Sequence, residues 1–412
     1  MQISTNEFLL GSLGDLLTQE SNLSQLNRQI ATGETMLDPS DDPAGAGQAI
    51  DLAGAINRLS YDAGNAQAAT QDIQSGLSVL QQISSLIDQL RQVAVEGANG
   101  TNSAATQSAL VTTAQSALQE LVQLANSQDA EGNYIFAGTK TNAPPFASLA
   151  NGQVVFTGDN GGNLLEIAPS VTVAAAVSGE NIFANVPAGE NGVAVTAAAA
   201  NIGTAYVTVK GITGTSQLNS ARLSGTQYEI VFSAGVGGTL NYTVTGGIGA
   251  PGSAGFISTS STVASGSYTT GSDLQFGGLD IGITGLPAAG DQFFVNPAGT
   301  SSLFQTIQGL ISALGSASST PQQIQNAIVN LDGAQTSILS AQATLGSNLA
   351  EIQGVQAADS TASTNDQAQL STLQSANLPQ AIANYSAGVT ALQAAELVFS
   401  KIQNLSLFSV IQ

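Results

Sequence analysis

The spacing of apolar residues changes twice along the 412-residue chain. Leu9, Leu16, Leu23 and Ile30 recur every seven positions, with Leu13 and Leu26 beside the stripe. A seven-residue apolar repeat makes a narrow helical seam, so it predicts a helix over about 5–32. Ser4 and Glu7 fit a capping box at its start, and Gly33 fits a stop at its end. Ile73, Leu80, Ile87 and Ala94 form a second series, thickened by Leu77, Ile83, Leu86, Leu90 and Val93 and broken at Asn99-Gly100. A third helix is predicted from Leu110, Ala114, Ala117, Leu121 and Leu124. Toward the other end, Ile324, Leu331, Ile338, Leu345 and Ile352 hold the same spacing without a break, with Thr320 as cap and Pro321 as first helical residue. Leu378, Tyr385, Leu392 and Phe399 make a last series, widened by Ile382, Val389, Ile402 and Leu405. Pro379 must lie in the first turn of that helix, because inside it a proline removes a backbone bond and clashes.

Between about Tyr134 and Val295 the period shortens. Fifteen of the twenty Phe and Tyr residues fall between Tyr134 and Phe304. Runs such as 153–156, 206–209, 228–232 and 241–244 are β-branched or aromatic and are separated by glycine clusters, the pattern of short antiparallel strands and turns. The chain therefore reads as a multidomain α+β protein, in which an antiparallel β-rich domain is inserted into a helical bundle or coiled coil formed by both termini.

Seams of this kind need partners. Burying one Leu or Ile yields roughly 1.5–3 kcal/mol, and an isolated helix is marginal in water. For the inner helices, around 73–128 and 324–355, an intramolecular bundle is the preferred reading. The outer helices, 5–32 and 378–405, lie beyond the Pro39–Pro43 segment and the polar stretch from Asp359 to Asp366. They carry seams with almost no charge beside them. Flanking charges normally set partner and register, so their scarcity points to partners supplied by symmetry, as in a polymer.

Composition narrows the chemistry. Only 8% of residues are charged, and the net charge is -21 with seven scattered Lys and Arg. That charge repels nucleic acid and anionic lipid, and no basic patch starts phosphate binding. No Cys, His or Trp is present, so zinc sites, thiol nucleophiles and His-based acid–base catalysis are unavailable. No cofactor is expected. The N-terminus lacks the basic and apolar regions of a signal peptide, and no apolar run approaches a bilayer span; the expectation is neither a membrane protein nor one exported with a cleaved leader.

Several segments resemble the flagellin family. Residues 30–35 together with Pro39-Ser40-Asp41-Asp42-Pro43-Ala44-Gly45 are similar to the link between that family's first two helices. Residues 90–101 are similar to its second helix end and turn. Within the family, Pro39 and Pro43 bracketing Ser40-Asp41-Asp42, the run 133–139 followed by Pro144-Pro145-Phe146, the run 290–295 with 302–304, and the ending 400–408 resemble members at the hook–filament junction more than filament members. The resemblance covers about 1–185 and 285–412, leaving 186–284 as an enlarged part of the β domain.

The resemblance implies an N-terminal assembly helix over 1–35, a helical rod over 36–132 and 301–358, a β-rich surface domain over 133–300, and a C-terminal assembly helix over 359–412. It implies a non-enzymatic structural subunit of the bacterial flagellum, outside the cell, that joins hook to filament and templates flagellin polymerisation. Its implied partners are copies of itself, the first hook-associated protein, flagellin and an export chaperone. Leu9, Leu13, Leu16, Leu23 and Ile30 would pair with Leu378, Ile382, Tyr385, Val389, Leu392, Phe399, Ile402 and Leu405 in a tube wall. Pro39, Asp41, Asp42 and Pro43 would set the turn between wall and rod, Asp42 capping the next helix. A filament subunit, or a surface adhesin or carbohydrate-binding protein working through its β domain, are the alternative readings.

Other chemistry is thin. Asp41-Asp42 beside prolines reads as a cap before it reads as a metal site. Gly158-Asp159-Asn160-Gly161-Gly162-Asn163 lacks the repeated acids of calcium loops and reads as a turn. The glycines never form a P-loop or dinucleotide pattern. A glycosidase-like carboxylate pair stays open, because its separation is a three-dimensional fact.

Overall fold

The computed structural model describes residues 5–99, 101–150, 152–249, 257–297, 299–316 and 321–408, with the main chain alone at 5, 6, 8, 9, 258–261 and 402–408. Ser4 and Thr320, expected as caps, and Gly100 lie outside the described residues, as do the side chains of Leu9, Ile402 and Leu405. The helices are α1 (Thr5–Thr32), α2 (Pro43–Gly97), α3 (Ala104–Ala125), α4 (Thr215–Ser224), α5 (Leu303–Gly315), α6 (Pro321–Gln374) and α7 (Leu378–Phe408). The strands are β1 (Phe146–Ser148), β2 (Val154–Phe156), β3 (Leu164–Ala168), β4 (Val171–Ala174), β5 (Val186–Pro187), β6 (Ala194–Ala197), β7 (Tyr206–Ile212), β8 (Thr226–Ala234), β9 (Leu240–Ile248), β10 (Ile257–Tyr268), β11 (Leu274–Phe276), β12 (Leu279–Thr284), β13 (Gln292–Asn296) and β14 (Thr300–Ser301). The chain forms two units, one of Met1–Gly64 with Gly354–Gln412 and one of Asn65–Gln353.

Two helices run further than the sequence reading draws them. α2 starts at Pro43, well before the series that opens at Ile73. Leu52, Leu59 and Ala66 extend that series upstream at the same seven-residue spacing, and Ala66 is fully buried. α6 continues through 359–366, the polar stretch that the sequence reading sets between the rod and the last helix, and runs on to Gln374. That stretch is polar but contains no Gly or Pro, and polarity alone does not end a helix. Helix α4 escapes the sequence reading because it is short and buries only Leu218 and Ala221.

In the second unit the inner seams are spent within the chain. Ile324, Leu331, Ile338, Leu345 and Ile352 are all buried, as are Ile73, Leu80, Ile87 and Ala94. α2 and α6 face each other antiparallel. Arg91 Nε lies 2.8 Å from Asp332 Oδ1, Gln335 Nε2 donates to Ser84 Oγ at 2.6 Å, and a Cβ at Gly76 would stand 3.5 Å from Leu345 Cδ1. α3 packs on α5.

The β region has two cores. A five-stranded antiparallel sheet, in the order β10-β9-β8-β13-β6, and a three-stranded one, β11-β12-β7, share one core. Alternation does the sorting: Tyr228, Ile230 and Phe232 of β8 point inward with Phe293 and Val295 of β13. The second core is aromatic and joins the two ends of the β region. Phe146 at its start and Phe304 just past its end have ring centroids 5.1 Å apart. Phe183 meets Phe136 edge-on at 5.3 Å and Phe146 at 5.5 Å, the geometry that aromatic quadrupoles favour.

Candidate functional site

In the first unit, α1 and α7 pack along each other. Leu23 is buried between them. It lies where a Cβ on Gly388 would come within 2.8 Å of its Cδ2, so the missing side chain on α7 is what lets the helices close. Ala381 is buried too, and Gln19 Nε2 reaches the Gly388 carbonyl at 3.5 Å. Leu16, Ile30, Tyr385, Val389, Leu392 and Phe399 are half-buried. The pair thus brings together members of both expected seams.

It does not bury all of them. Leu13 is 43% exposed, Leu378 39% and Ile382 50%. Leu10, Leu17, Leu397 and Val398, which the sequence reading passes over, are 54–63% exposed. Leu10 and Leu17 are themselves seven apart, with Leu13 between them. This second stripe, about a hundred degrees round α1 from the first, was legible as a signal. Ser12, Asp15, Leu16 and Gln19 of α1 and the alanines 391, 394 and 395 of α7 line a groove of about 440 Å³. Two helices that bury one face against each other and keep another apolar face in water form a surface prepared for more helices.

The link between α1 and α2 is tied down by its own polar groups. Gly33, at φ +76°, ends α1 with its N–H on Gln29 O at 2.9 Å. Thr35 N donates to Gln374 O at 2.7 Å and Ala376 N to Gly33 O at 2.8 Å, so the α1–α2 link and the α6–α7 link pair as a short ribbon. Asp41 Oδ2 accepts from the N–H groups of Leu37 and Asp38 at 3.2 and 3.1 Å, and its Oδ1 from Gln25 Nε2 at 3.2 Å. Asp42 Oδ1 accepts from Gly45 N at 3.0 Å, with Pro43 as the first helical residue. Asp42→Ala removes this cap and is expected to cost about 1 kcal/mol, read as a shift in the urea midpoint with unchanged slope. On α7, Asn377 Oδ1 caps through Gln380 N at 3.3 Å, with Pro379 in the first turn as the sequence requires.

Outside this unit, the turn at 158–163 is held by Asp159. Its carboxylate takes Thr139 Oγ1 at 2.6 Å, Thr139 N at 2.8 Å and Gly161 N at 2.9 Å. These bonds, from Thr139 first, hold its pKa below the ordinary value.

A second acidic feature escapes sequence reading because its members are far apart in the chain. Carboxylate oxygens of Asp72, Asp129 and Glu131 lie within 4.8 Å of one another. Burial first, then the charges of Asp129 and Glu131, push the Asp72 carboxyl up. The folded state therefore disfavours its ionised form. Stability present while Asp72 is protonated is lost as pH rises from the unfolded value through the raised folded one. At pH 7 Asp72→Asn is expected to raise the melting temperature, with the gain lost as pH falls below the ordinary carboxylate range.

Comparison with known proteins places these features. Residues 3–141 match the bacterial flagellin N-terminal helical region. Flagellar hook-associated protein 3 of Salmonella typhimurium is 36% identical over 152 residues, 37% of this chain and 48% of that protein. The matched stretch thus spans about half the length of this curated relative. The flagellar junction protein FlgL of Legionella pneumophila superposes with a TM-score of 0.67 at 26% identity, over 79% of this chain and 99% of that one. FlgL of Xanthomonas campestris gives 0.64 at 27%, over 77% and 98%. The flagellin-like α+β architecture and the resemblance to the hook-associated members are thereby shown. Among the described residues no helix is long and apolar enough to cross a membrane.

Proposed function

From a chain that carries the flagellin N-terminal helical region and whose relatives are hook-associated protein 3 and FlgL, we infer a structural subunit of the bacterial flagellum that sits between hook and filament and templates flagellin polymerisation. It works outside the cell and has no catalytic step of its own. The α1–α7 pair is its assembly element. Copies of this chain pack through the exposed stripe of Leu10, Leu13 and Leu17 and through Ile382, Leu397 and Val398. The first hook-associated protein meets one side of the layer and flagellin the other, and an export chaperone covers the apolar C-terminal helix before assembly.

The observation that carries this reading is the apolar face left in water on two helices that already satisfy each other. Burying it against neighbours recovers roughly 25 cal/mol for each Å² removed from water, and repeated heterologous contacts close into a ring or a helical layer. Electron microscopy of a strain lacking this chain tests it. Hooks without filaments, with flagellin shed into the medium, are expected. Filaments of normal length on those hooks would contradict it.

A further inference from the structure

Gln322, in the first turn of α6, is a polar residue only 1% exposed. Its Oε1 accepts from Val207 N at 2.6 Å. Its Nε2 donates to Val207 O at 3.0 Å and to Asn326 Oδ1 at 2.8 Å. Val207 lies in β7, the edge strand of the three-stranded sheet, opposite Ile283 of β12. One side-chain amide thus offers a strand residue's complement, an acceptor for the N–H and a donor for the C=O, to the open side of β7. An edge strand leaves such groups unpaired and invites another chain to pair with them.

The other described side-chain hydrogen bonds from α2 and α6 to the β region are also made by amides. Asn330 Oδ1 accepts from Gly189 N at 2.7 Å, Asn348 Nδ2 donates to Ala174 O at 2.9 Å, and Asn65 Nδ2 donates to Glu166 O at 3.0 Å. Among the described residues, the ion pairs join Arg28 to Asp38, Arg91 to Asp332 and Lys210 to Asp273. None of these links a helix to the β region.

We propose that Gln322 acts as the missing strand at the edge of the β11-β12-β7 sheet, and that this neutral clasp, rather than ion pairs, fastens the β-rich domain to helix α6. The clasp is independent of what the terminal helices assemble into. It has two consequences. The attachment is insensitive to salt, because no screened charge takes part. The β7 edge is closed to strand addition by a second molecule.

Hydrogen exchange at the Val207 amide tests this in the full chain. Gln322→Leu fills the space but leaves a buried N–H and C=O unpaired, and exchange at Val207 is expected to quicken at least about tenfold. Exchange within about twofold of wild type would overturn the proposal.

Gln322→Glu keeps the test open if the leucine variant does not fold. Its ionised carboxylate accepts from Val207 N–H but faces the Val207 carbonyl without a proton. Once protonated it donates one hydrogen bond, to that carbonyl, where the amide donates a second to Asn326. The ratio of variant to wild-type exchange is therefore expected to fall toward one between about pH 7 and pH 4, as a buried carboxyl takes its proton. A ratio that stays constant over this range contradicts the clasp. So does a quickening of wild-type exchange in about 1 M NaCl.

Discussion

Replacing Leu13 and Leu17 together with Asp is expected to abolish incorporation into the flagellum while leaving the isolated protein as stable as wild type. Both residues are largely exposed, 43% and 58%, and surface substitutions usually shift stability by no more than about 0.5 kcal/mol. In an assembled layer the same side chains are covered. Each Leu then withdraws roughly 1.5–3 kcal/mol of apolar surface from water, and a carboxylate in its place must be desolvated without a partner. The loss per contact is about 3–6 kcal/mol, a weakening of roughly a hundredfold to more than ten-thousandfold. Thermal melts of the purified variants, set beside counts of filaments in a complemented strain, separate the two effects.

Ile338→Ala is expected to do the reverse. Ile338 is fully buried on α6, in the seam that faces α2. Truncating a large apolar residue in such a place costs about 2–5 kcal/mol, part transfer and part cavity. The denaturant midpoint falls accordingly, and assembly falls only as far as the folded fraction does. A double substitution on the exposed stripe and a single one in the core thus move two readouts in opposite order. An unpartnered core cannot produce that pattern.

The seams were legible in the sequence, but periodicity alone did not divide them, because the two kinds use the same letters at the same spacing. Ile324 to Ile352 recur every seven residues and are all buried within the chain. Leu9 to Ile30 recur equally well, yet only Leu23 is buried among those whose side chains are described. Periodicity identifies a face that wants a partner; it does not say whether that partner lies in the same molecule. The terminal position and the missing flanking charges decided the reading.

Other features were beyond it for physical reasons. The polar 359–366 stretch offers no breaker, so its helicity shows only in three dimensions. The Gly388–Leu23 contact, the Asp72 cluster and the Gln322 clasp each join residues far apart in the chain, and no local spacing announces them. By contrast, the Asp42 cap, the Gly33 stop and the first-turn Pro379 are short-range matters of backbone chemistry, and they stand where the residues place them.

The chain contains no cysteine, so a single thiol installed by Leu17→Cys reports on one point of the exposed stripe. Maleimide labelling should be fast on purified, unassembled protein and slowed at least about a hundredfold once the subunit is built into flagella, where a neighbouring copy covers the site. Equal labelling in both states, or a thiol already shielded in the lone molecule, would show that this face is not where one copy meets the next.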